Sequence, residues 1–405
     1  MGTVLKALRS GHWPSLVGAW LHFEISFMVW LLIGAMGVLI AEEFGLTPTQ
    51  KGLLVAVPLL GAALLRIVVG GCSDRFGPKR TGLVLLIGEL IAVLWGWGGA
   101  ATYPEVLGVG LVLGAAGASF AVALPVASQA YPPAHRGLAM GVAASANSGT
   151  VLAAFFAPRL GQVVGWHAVF GLMAVPLVLT LVLFAALVRD DAGSARHDVR
   201  LYWWSTMGDL VRRPSMYWLC FVYAVTFGGF VGFCSFLPIF LHDQYGLDLV
   251  VAGSVTALCG LAGSLIRPFG GYTADRRGGL RVLQVIFPVI AGLILTVGRL
   301  PQVNWAVPVL VMAIAVMGFG NGVVFQVVSD WFQKQIGAAS GLIGAAGGFG
   351  GFLLPFWLGL LKDATGTYQT GFLLFAVVSL VAGASTVLIW RRTHRAMPCM
   401  DLGPH

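Results

Sequence analysis

The sequence predicts an all-α membrane protein: twelve transmembrane helices folded as two six-helix bundles related by a pseudo-twofold axis. Three observations predict it. First, 58% of the 405 residues are hydrophobic and only 10% are charged, against roughly 25% charged in soluble proteins, so the surrounding solvent is lipid. Second, apolar runs of the about 20 residues that cross a bilayer recur along the whole chain. Third, the chain repeats itself. Moved by 201 positions, from 66 to 267, the residues Leu60, Leu64, Arg66, Gly70, Asp74, Arg75, Gly77 and Arg80 each land on an identical residue.

The spans follow from the apolar runs and the charges between them. The polar, mildly basic Met1–Pro14 segment precedes the first span, 16–40, which is too long for the core of a cleavable leader. The second, 51–71, starts at Lys51 and leaves through the charged turn Asp74–Arg80. Spans 82–102 and 106–130 end before Arg136, 138–160 reaches Arg159, and 167–188 stops at Arg189. The longest polar stretch, Arg189–Pro214, then divides the chain into an N-terminal bundle (1–188), a cytoplasmic linker (189–214) and a C-terminal bundle (215–405). The second set, 216–241, 250–271, 282–299, 305–329, 338–361 and 370–390, repeats the arrangement, with Asp275–Arg281 as its charged turn. The linker's Tyr202-Trp203-Trp204 beside Arg200, Arg212 and Arg213 reads as a helix lying on the membrane surface. Abundant glycine, 56 residues, suits helices in close contact within lipid. The five cysteines form no CxxC, so free thiols are expected, with no disulfide, metal site or cofactor.

Charge sets the expected orientation. With both termini cytoplasmic, 18 of the 24 Lys and Arg residues fall on the inside and only Lys51, Arg159, Arg299 and Lys362 outside, a strong positive-inside bias. The net charge of +8 is explained by this bias and carries no implication of nucleic-acid binding. The remaining two cations, Arg66 and Arg267, lie inside apolar spans. Eight residues at about 1.5 Å each put them roughly 12 Å from the ends of their spans, near the bilayer midplane. A charge there costs about 2.5–3.5 kcal/mol on insertion scales, so it faces a cavity or a counter-charge. Only Glu24 and Glu89 lie well inside spans, both in the first half, so Arg267 has no symmetric acidic partner. Two guanidiniums in a dry site favour an anion, and their forked donors match planar oxyanions. With no lysine in mid-span, a phosphate site is less favoured.

The repeat-mate spans 138–160 and 338–361 are glycine-rich. Gly341, Gly344, Gly348 and Gly351 fall on one helical face, and Gly141 and Gly149 flank Asn147, the one amide in the fifth span. The bland account is helix packing; the functional one is that small residues line a substrate path. Phe23, Phe27, Trp30, Phe120, Tyr223 and Phe227 could wall the site. The turn residues Asp74, Arg75, Gly77 and Arg80, with Asp275 and Arg276, read as a gate or hinge lock. No nucleophile triad or phosphate loop is present.

The stretch Gly71-Cys72-Ser73-Asp74-Arg75-Phe76-Gly77-Pro78-Lys79-Arg80 resembles the loop signature of the major facilitator superfamily. The segments ending Leu65-Arg66 and Ile266-Arg267 resemble the arginine helices of its nitrate/nitrite porter family, and Gly320–Gln326 and Gly341–Gly351 resemble that family's tenth and eleventh helices. The first signature departs from the pattern at Ala143, Ser145 and Ala146, while Gly141, Asn147 and Gly149 match. The resemblance implies the major facilitator fold and anion contacts from Arg66, Arg267, Asn147 and Tyr223, with Phe120 and Phe227 as walls. It implies secondary active transport of nitrate or nitrite across the inner membrane by alternating access, by a monomer. Symport with a proton is favoured over nitrate/nitrite exchange, with Glu24 and Glu89 as relay candidates. An organic-anion or drug carrier of the same superfamily and a membrane anion sensor are the rival readings; an enzyme is the least favoured.

Overall fold

A computed structural model describes residues 10–132, 135–189 and 206–395. Among these residues the chain is helical throughout, without strands, and eleven helices are long and apolar enough to cross a membrane. They are α2 (Pro48–Phe76), α3 (Pro78–Gly98), α4 (Tyr103–Gln129), α5 (Arg136–Val164), α6 (Trp166–Leu187), α7 (Pro214–Tyr245), α8 (Leu249–Arg277), α9 (Gly279–Gly298), α10 (Val303–Trp331), α11 (Ile336–Thr365) and α12, which extends over Gln369–Arg395. The first of the twelve expected spans is broken. It runs as α1 (Trp13–Trp30) and two short pieces, Leu32–Ala35 and Gly37–Glu43, separated at Leu31 and Met36. The breaks fall where the segment meets the other half: a Cβ on Gly34 would touch the Ser235 carbonyl at 2.9 Å, and one on Gly37 the Ile239 side chain at 2.9 Å. The expected surface helix at Tyr202–Trp204 lies outside the described residues, as does Cys399; the other four cysteines are free thiols.

Local chemistry sets the helix limits. Thr47 and Gln50 form a reciprocal capping box at the start of α2, and Thr102 with Glu105 does the same for α4. Gly77 and Gly278, repeat mates, both take positive φ, 91° and 82°, and each ends one helix while starting the next. That backbone region is open to glycine at little cost, so the sharp turn recurs in both halves. α7 is the central helix, with 94% of its most apolar window buried; α6, with 33%, lies at the lipid boundary.

The two bundles meet mainly through α2 against α11 and α5 against α8. These pairs are tight at one end and splayed at the other. Near the start of α2, a Cβ on Gly52 would lie 2.4 Å from the Pro355 carbonyl, and one on Gly359 2.3 Å from that of Pro48. Near the start of α8, a Cβ on Gly253 would lie 2.6 Å from the Ala154 carbonyl. Toward the end that bears the described chain termini, positions Gly70, Gly141, Gly337 and Gly341 have nothing within 4 Å of a built Cβ. The molecule is therefore closed at one end and open at the other.

Polar contacts hold the closed end. Lys51 Nζ donates to both Asp243 oxygens at 2.8 and 2.9 Å, joining α2 to α7, and the Tyr368 hydroxyl donates to Asp243 at 3.2 Å. The Thr49 amide donates to Asp363 at 3.0 Å, and the Thr49 hydroxyl donates to the same oxygen. Asp248 caps α8 through the Val250 amide and accepts from Gln162 of α5 at 3.0 Å. Those donors, led by the Val250 amide, hold its carboxyl below the usual range. The Lys51–Asp243 pair is about one-fifth exposed, so its contribution is about 1 kcal/mol at most. Asp243→Asn is expected to raise the population open at this end by about fivefold. Distances between spin labels on the turns before α2 and after α7 measure it; an unchanged distribution would assign closure to the glycine contacts and the remaining Thr49–Asp363 and Gln162–Asp248 bonds.

Candidate functional site

Arg66 sits on α2 midway along the bundle, 2% exposed. Its Nε donates to the Gly117 carbonyl at 3.0 Å and one terminal nitrogen donates to the Gly344 carbonyl, in the other half, at 2.5 Å. Its guanidinium carbon lies 5.0 Å from the Phe120 ring, 5.1 Å from Phe227 and 5.4 Å from Trp30. Such aromatic faces each stabilise a desolvated cation by about 0.5–2 kcal/mol. A guanidinium has five N–H donors, so three remain beyond the two carbonyl bonds.

Arg267 occupies the matching place on α8 and is half-buried. One terminal nitrogen donates to the Tyr223 hydroxyl at 3.2 Å, and its carbon lies 5.9 Å from Phe227 and 5.7 Å from Phe325. Phe227 is thus shared by both arginines, and the two cations are no farther apart than the sum of their distances to its ring. Tyr223 and Phe227 stack with centroids 5.1 Å apart and planes 5° from parallel, and Phe325 meets Tyr223 edge-on at 5.1 Å. Neither arginine has a carboxylate partner among the described residues.

Three irregular turns supply this constellation. Gly117 lies in a 3₁₀ turn of α4 (Gly114–Ala118), Asn147 in one of α5 (Ser145–Ser148), and Phe227 in a π-helical turn of α7 (Ala224–Gly228). Such turns re-aim side chains and carbonyls inside otherwise regular helices. Glycines bring the supporting helices close: a Cβ on Gly322 of α10 would lie 2.1 Å from the Arg267 carbonyl, and one on Gly117 2.6 Å from Ala62 Cβ.

The sequence-derived candidates separate into groups. Arg66, Arg267, Tyr223, Phe120, Phe227 and Gly344 come together at the centre. Asn147 lies on the α5–α8 seam, its Nδ2 donating to Ser264 Oγ at 3.0 Å across the halves. Gly348 packs on Ala63 of α2, with a built Cβ 3.1 Å from its Cα. Gly149 packs α5 on α1, a built Cβ meeting the Glu24 carbonyl, while Gly141 and Gly341 border open space. Of the aromatics on α1, Trp30 reaches Arg66, whereas Phe23 and Phe27 pack in a chain behind it at 4.4 and 5.0 Å between centroids. Asp74, Arg75, Arg80, Asp275 and Arg276 are exposed at the open end. There Arg75 lies over Phe76 and Arg276 over Tyr272, and no ion pair among the described residues joins the halves.

The two mid-span acids differ. Glu24 accepts from the Ser148 hydroxyl at 2.7 Å. Glu89 is fully buried; Ser26 donates to one oxygen at 2.9 Å and the other has no partner. His22, one turn from Ser26 and also fully buried, has its Nε2 3.3 Å from the Gly82 carbonyl and its Nδ1 unpaired. Sequence reasoning missed His22, Ser26 and Phe325. It also missed the two carbonyls on Arg66, which no side-chain pattern encodes.

Two bundles around one central cationic site, closed at one end only, define a membrane transporter. The chain belongs to the Major Facilitator Superfamily, whose family model matches residues 19–328, and within it to the nitrate/nitrite porter family. It is 33% identical over 374 residues to the nitrite extrusion protein of Bacillus subtilis, covering 91% of each chain. It is 33% identical over 377 residues to the probable nitrate/nitrite transporter NarK2 of Mycobacterium tuberculosis, covering 90% of this chain and 93% of that one. The fold is similar to a bacterial homologue of the human lysosomal transporter Spinster in an inward-facing, occupied conformation: TM-score 0.74, 18% identity, 93% of this chain and 96% of that one covered.

Glycine positions give a direct check of this packing. Gly348→Leu forces α2 from α11 and is expected to destabilise the purified protein by about 1–3 kcal/mol, the usual cost of overpacking. Gly341→Leu, entering open space, is expected to change stability by less than about 0.5 kcal/mol. Thermal unfolding of the two variants in one detergent measures the difference; equal melting temperatures would contradict the α2–α11 register.

Proposed function

We propose that the chain carries nitrate and nitrite across the inner (plasma) membrane as a monomer, by alternating access, binding the anion between Arg66 and Arg267. The observation that carries this reading is one guanidinium from each half, neither neutralised by a carboxylate among the described residues, sharing the Phe227 face. Phe120, Phe227, Tyr223 and Phe325 lie around the two guanidiniums, and the charge of a small planar anion bound between them would offset the repulsion that opposes closure. The names of the relatives support the same substrate class.

The positive-inside bias puts both termini in the cytoplasm, so the open end faces the cytoplasm and the Lys51–Asp243 end faces outward. Closing the cytoplasmic end brings α2 toward α11 and α5 toward α8 below the arginines, where Gly70, Gly141, Gly337 and Gly341 now have free space. The Asp74–Arg80 and Asp275–Arg281 turns stand at that end and serve as its lock.

Nitrate entering alone would oppose an inside-negative potential by about 2.3 kcal/mol per 100 mV, so uptake needs a driving ion or an exchanged anion. Proton-coupled nitrate import, with Glu89 as the proton-carrying group, meets that need. Its single donor, Ser26, belongs to α1, the helix whose Trp30 lies against Arg66.

Lysine keeps the charge but loses the fork. Arg66→Lys and Arg267→Lys are each expected to lower nitrate uptake about ten- to a hundredfold, the value of one charge-assisted hydrogen bond of about 1.5–3 kcal/mol. Labelled uptake into proteoliposomes, normalised to inserted protein, checks it; near-normal uptake by either variant removes that arginine from the site. Glu89→Gln is expected to abolish accumulation driven by an imposed pH gradient while nitrate/nitrite exchange in preloaded vesicles persists. Gradient-driven uptake that survives the change, or uptake by the native chain only after nitrite preloading, sinks proton coupling through Glu89.

A further inference from the structure

A second cationic cavity lies away from the central site, at the open end of the C-terminal bundle. It opens where the α8–α9 turn meets the ends of α10 and α12, has a volume of about 430 Å³, and is lined by Arg276, Arg277, Arg281, Asp330, Trp331 and Trp390. None of the three arginines pairs with a carboxylate among the described residues. Asp330, the one acid on the wall, is engaged by Gln326 Nε2 at 2.6 Å. The first turn of α9 adds backbone donors: Val282 is the first amide bonded back, to the Gly278 carbonyl at 3.2 Å, so the N–H groups of Gly279, Leu280 and Arg281 precede the ladder on the lining itself. Helix N-termini and forked guanidiniums together favour phosphate oxygens.

The repeat does not require this arrangement. Arg277 stands where the first copy has Phe76 and Leu280 where it has Lys79, so each turn carries three cations, and the second copy moves one of them from after its glycine to before it. The cavity's indoles also fix its depth. Trp331 is the last residue of α10, and Trp390 directly precedes Arg391 and Arg392 near the end of α12. Tryptophans at span ends sit at the headgroup level. A phosphate bound among these arginines would therefore lie in the headgroup layer, with the exposed side chains Tyr272 of α8 and Val285 of α9 on the helices that flank the turn.

We propose that this cavity binds the phosphate of an acidic phospholipid headgroup from the leaflet at the open end, tying the α8–α9 turn to the membrane surface. The occupant is a lipid and not free phosphate because the walls combine arginines with interfacial indoles at the membrane boundary.

The test uses the full chain in detergent, with lipid retention followed by native mass spectrometry during titration with phosphatidylglycerol or phosphatidylcholine. The native protein is expected to retain one phosphatidylglycerol in preference to phosphatidylcholine. Arg277→Gln/Arg281→Gln is expected to weaken that retention by about tenfold or more, since each basic residue near the surface contributes about 1 kcal/mol toward acidic lipid. Arg391→Gln/Arg392→Gln removes the same charge from outside the cavity and is expected to retain the lipid. Should the double cavity variant not fold, Arg277→Gln alone is expected to show a smaller loss of the same sign. Equal retention by cavity and control variants overturns the proposal. So does displacement of the lipid by millimolar inorganic phosphate, which would make the cavity a soluble-anion site.

Discussion

The structure is organised around the cost of holding two positive charges at mid-bundle with no acid among the described residues to neutralise them. Arg66 meets that cost with backbone and π-electrons: two carbonyls accept its N–H groups and three aromatic faces lie within 5.4 Å of its charged carbon. These partners are fixed dipoles and quadrupoles, not counter-ions, so the pair keeps its net charge, the property on which the proposed anion binding rests. A carboxylate here would have stabilised the fold and cancelled the attraction. Arg267, half-buried with one hydroxyl partner, retains more unused donors, and the asymmetry leaves one arginine anchored and the other more accessible from the open end.

Small residues set how closely the two halves meet. Along α2 and α11, contacts pass from backbone against backbone at Gly52 and Gly359, through Gly348 on Ala63 and Gly344 on Phe120, to open space at Gly341. One face of the α11 glycine run, Gly344 and Gly348, meets the opposite half. Another, Gly347 and Gly350, seats α11 on Tyr223 and Ala224 at the π-helical turn of its own half. Helix packing and site construction are thus served by the same stretch on different faces. In lipid no hydrophobic effect presses helices together, so close backbone approach is what holds the seam; it is present at one end and absent at the other.

Much of the site was legible because a charge in an apolar span has few explanations. Arg66 and Arg267 stood out from composition, and the repeat made them a pair. Tyr223, Phe120 and Phe227 came through family resemblance, since a stripe of aromatics alone does not distinguish packing from a ligand wall. Gly344 meets Arg66 through its carbonyl, and glycine spacing carries no sign of that. His22 and Ser26, buried with Glu89, were hidden for the opposite reason: one polar residue among many on α1 gives no signal until the neighbouring α3 is in place.

By itself the sequence determined the lipid environment, the helical class, the six-plus-six repeat, the basic end of the molecule and the two central cations. Each follows from composition or periodicity, which act along the chain. Tertiary structure alone decided the break of the first span at Leu31 and Met36, the irregular turns that aim Gly117, Asn147 and Phe227, and the end at which the bundles close. These depend on contacts between residues far apart in sequence, such as Gly34 with Ser235 and Lys51 with Asp243, 201 and 192 positions away. A span's hydropathy is the same whether its helix is straight or broken, and a glycine is equally small whether it faces lipid, a partner helix or an open path. Only the neighbours that the fold brings to each position distinguish them.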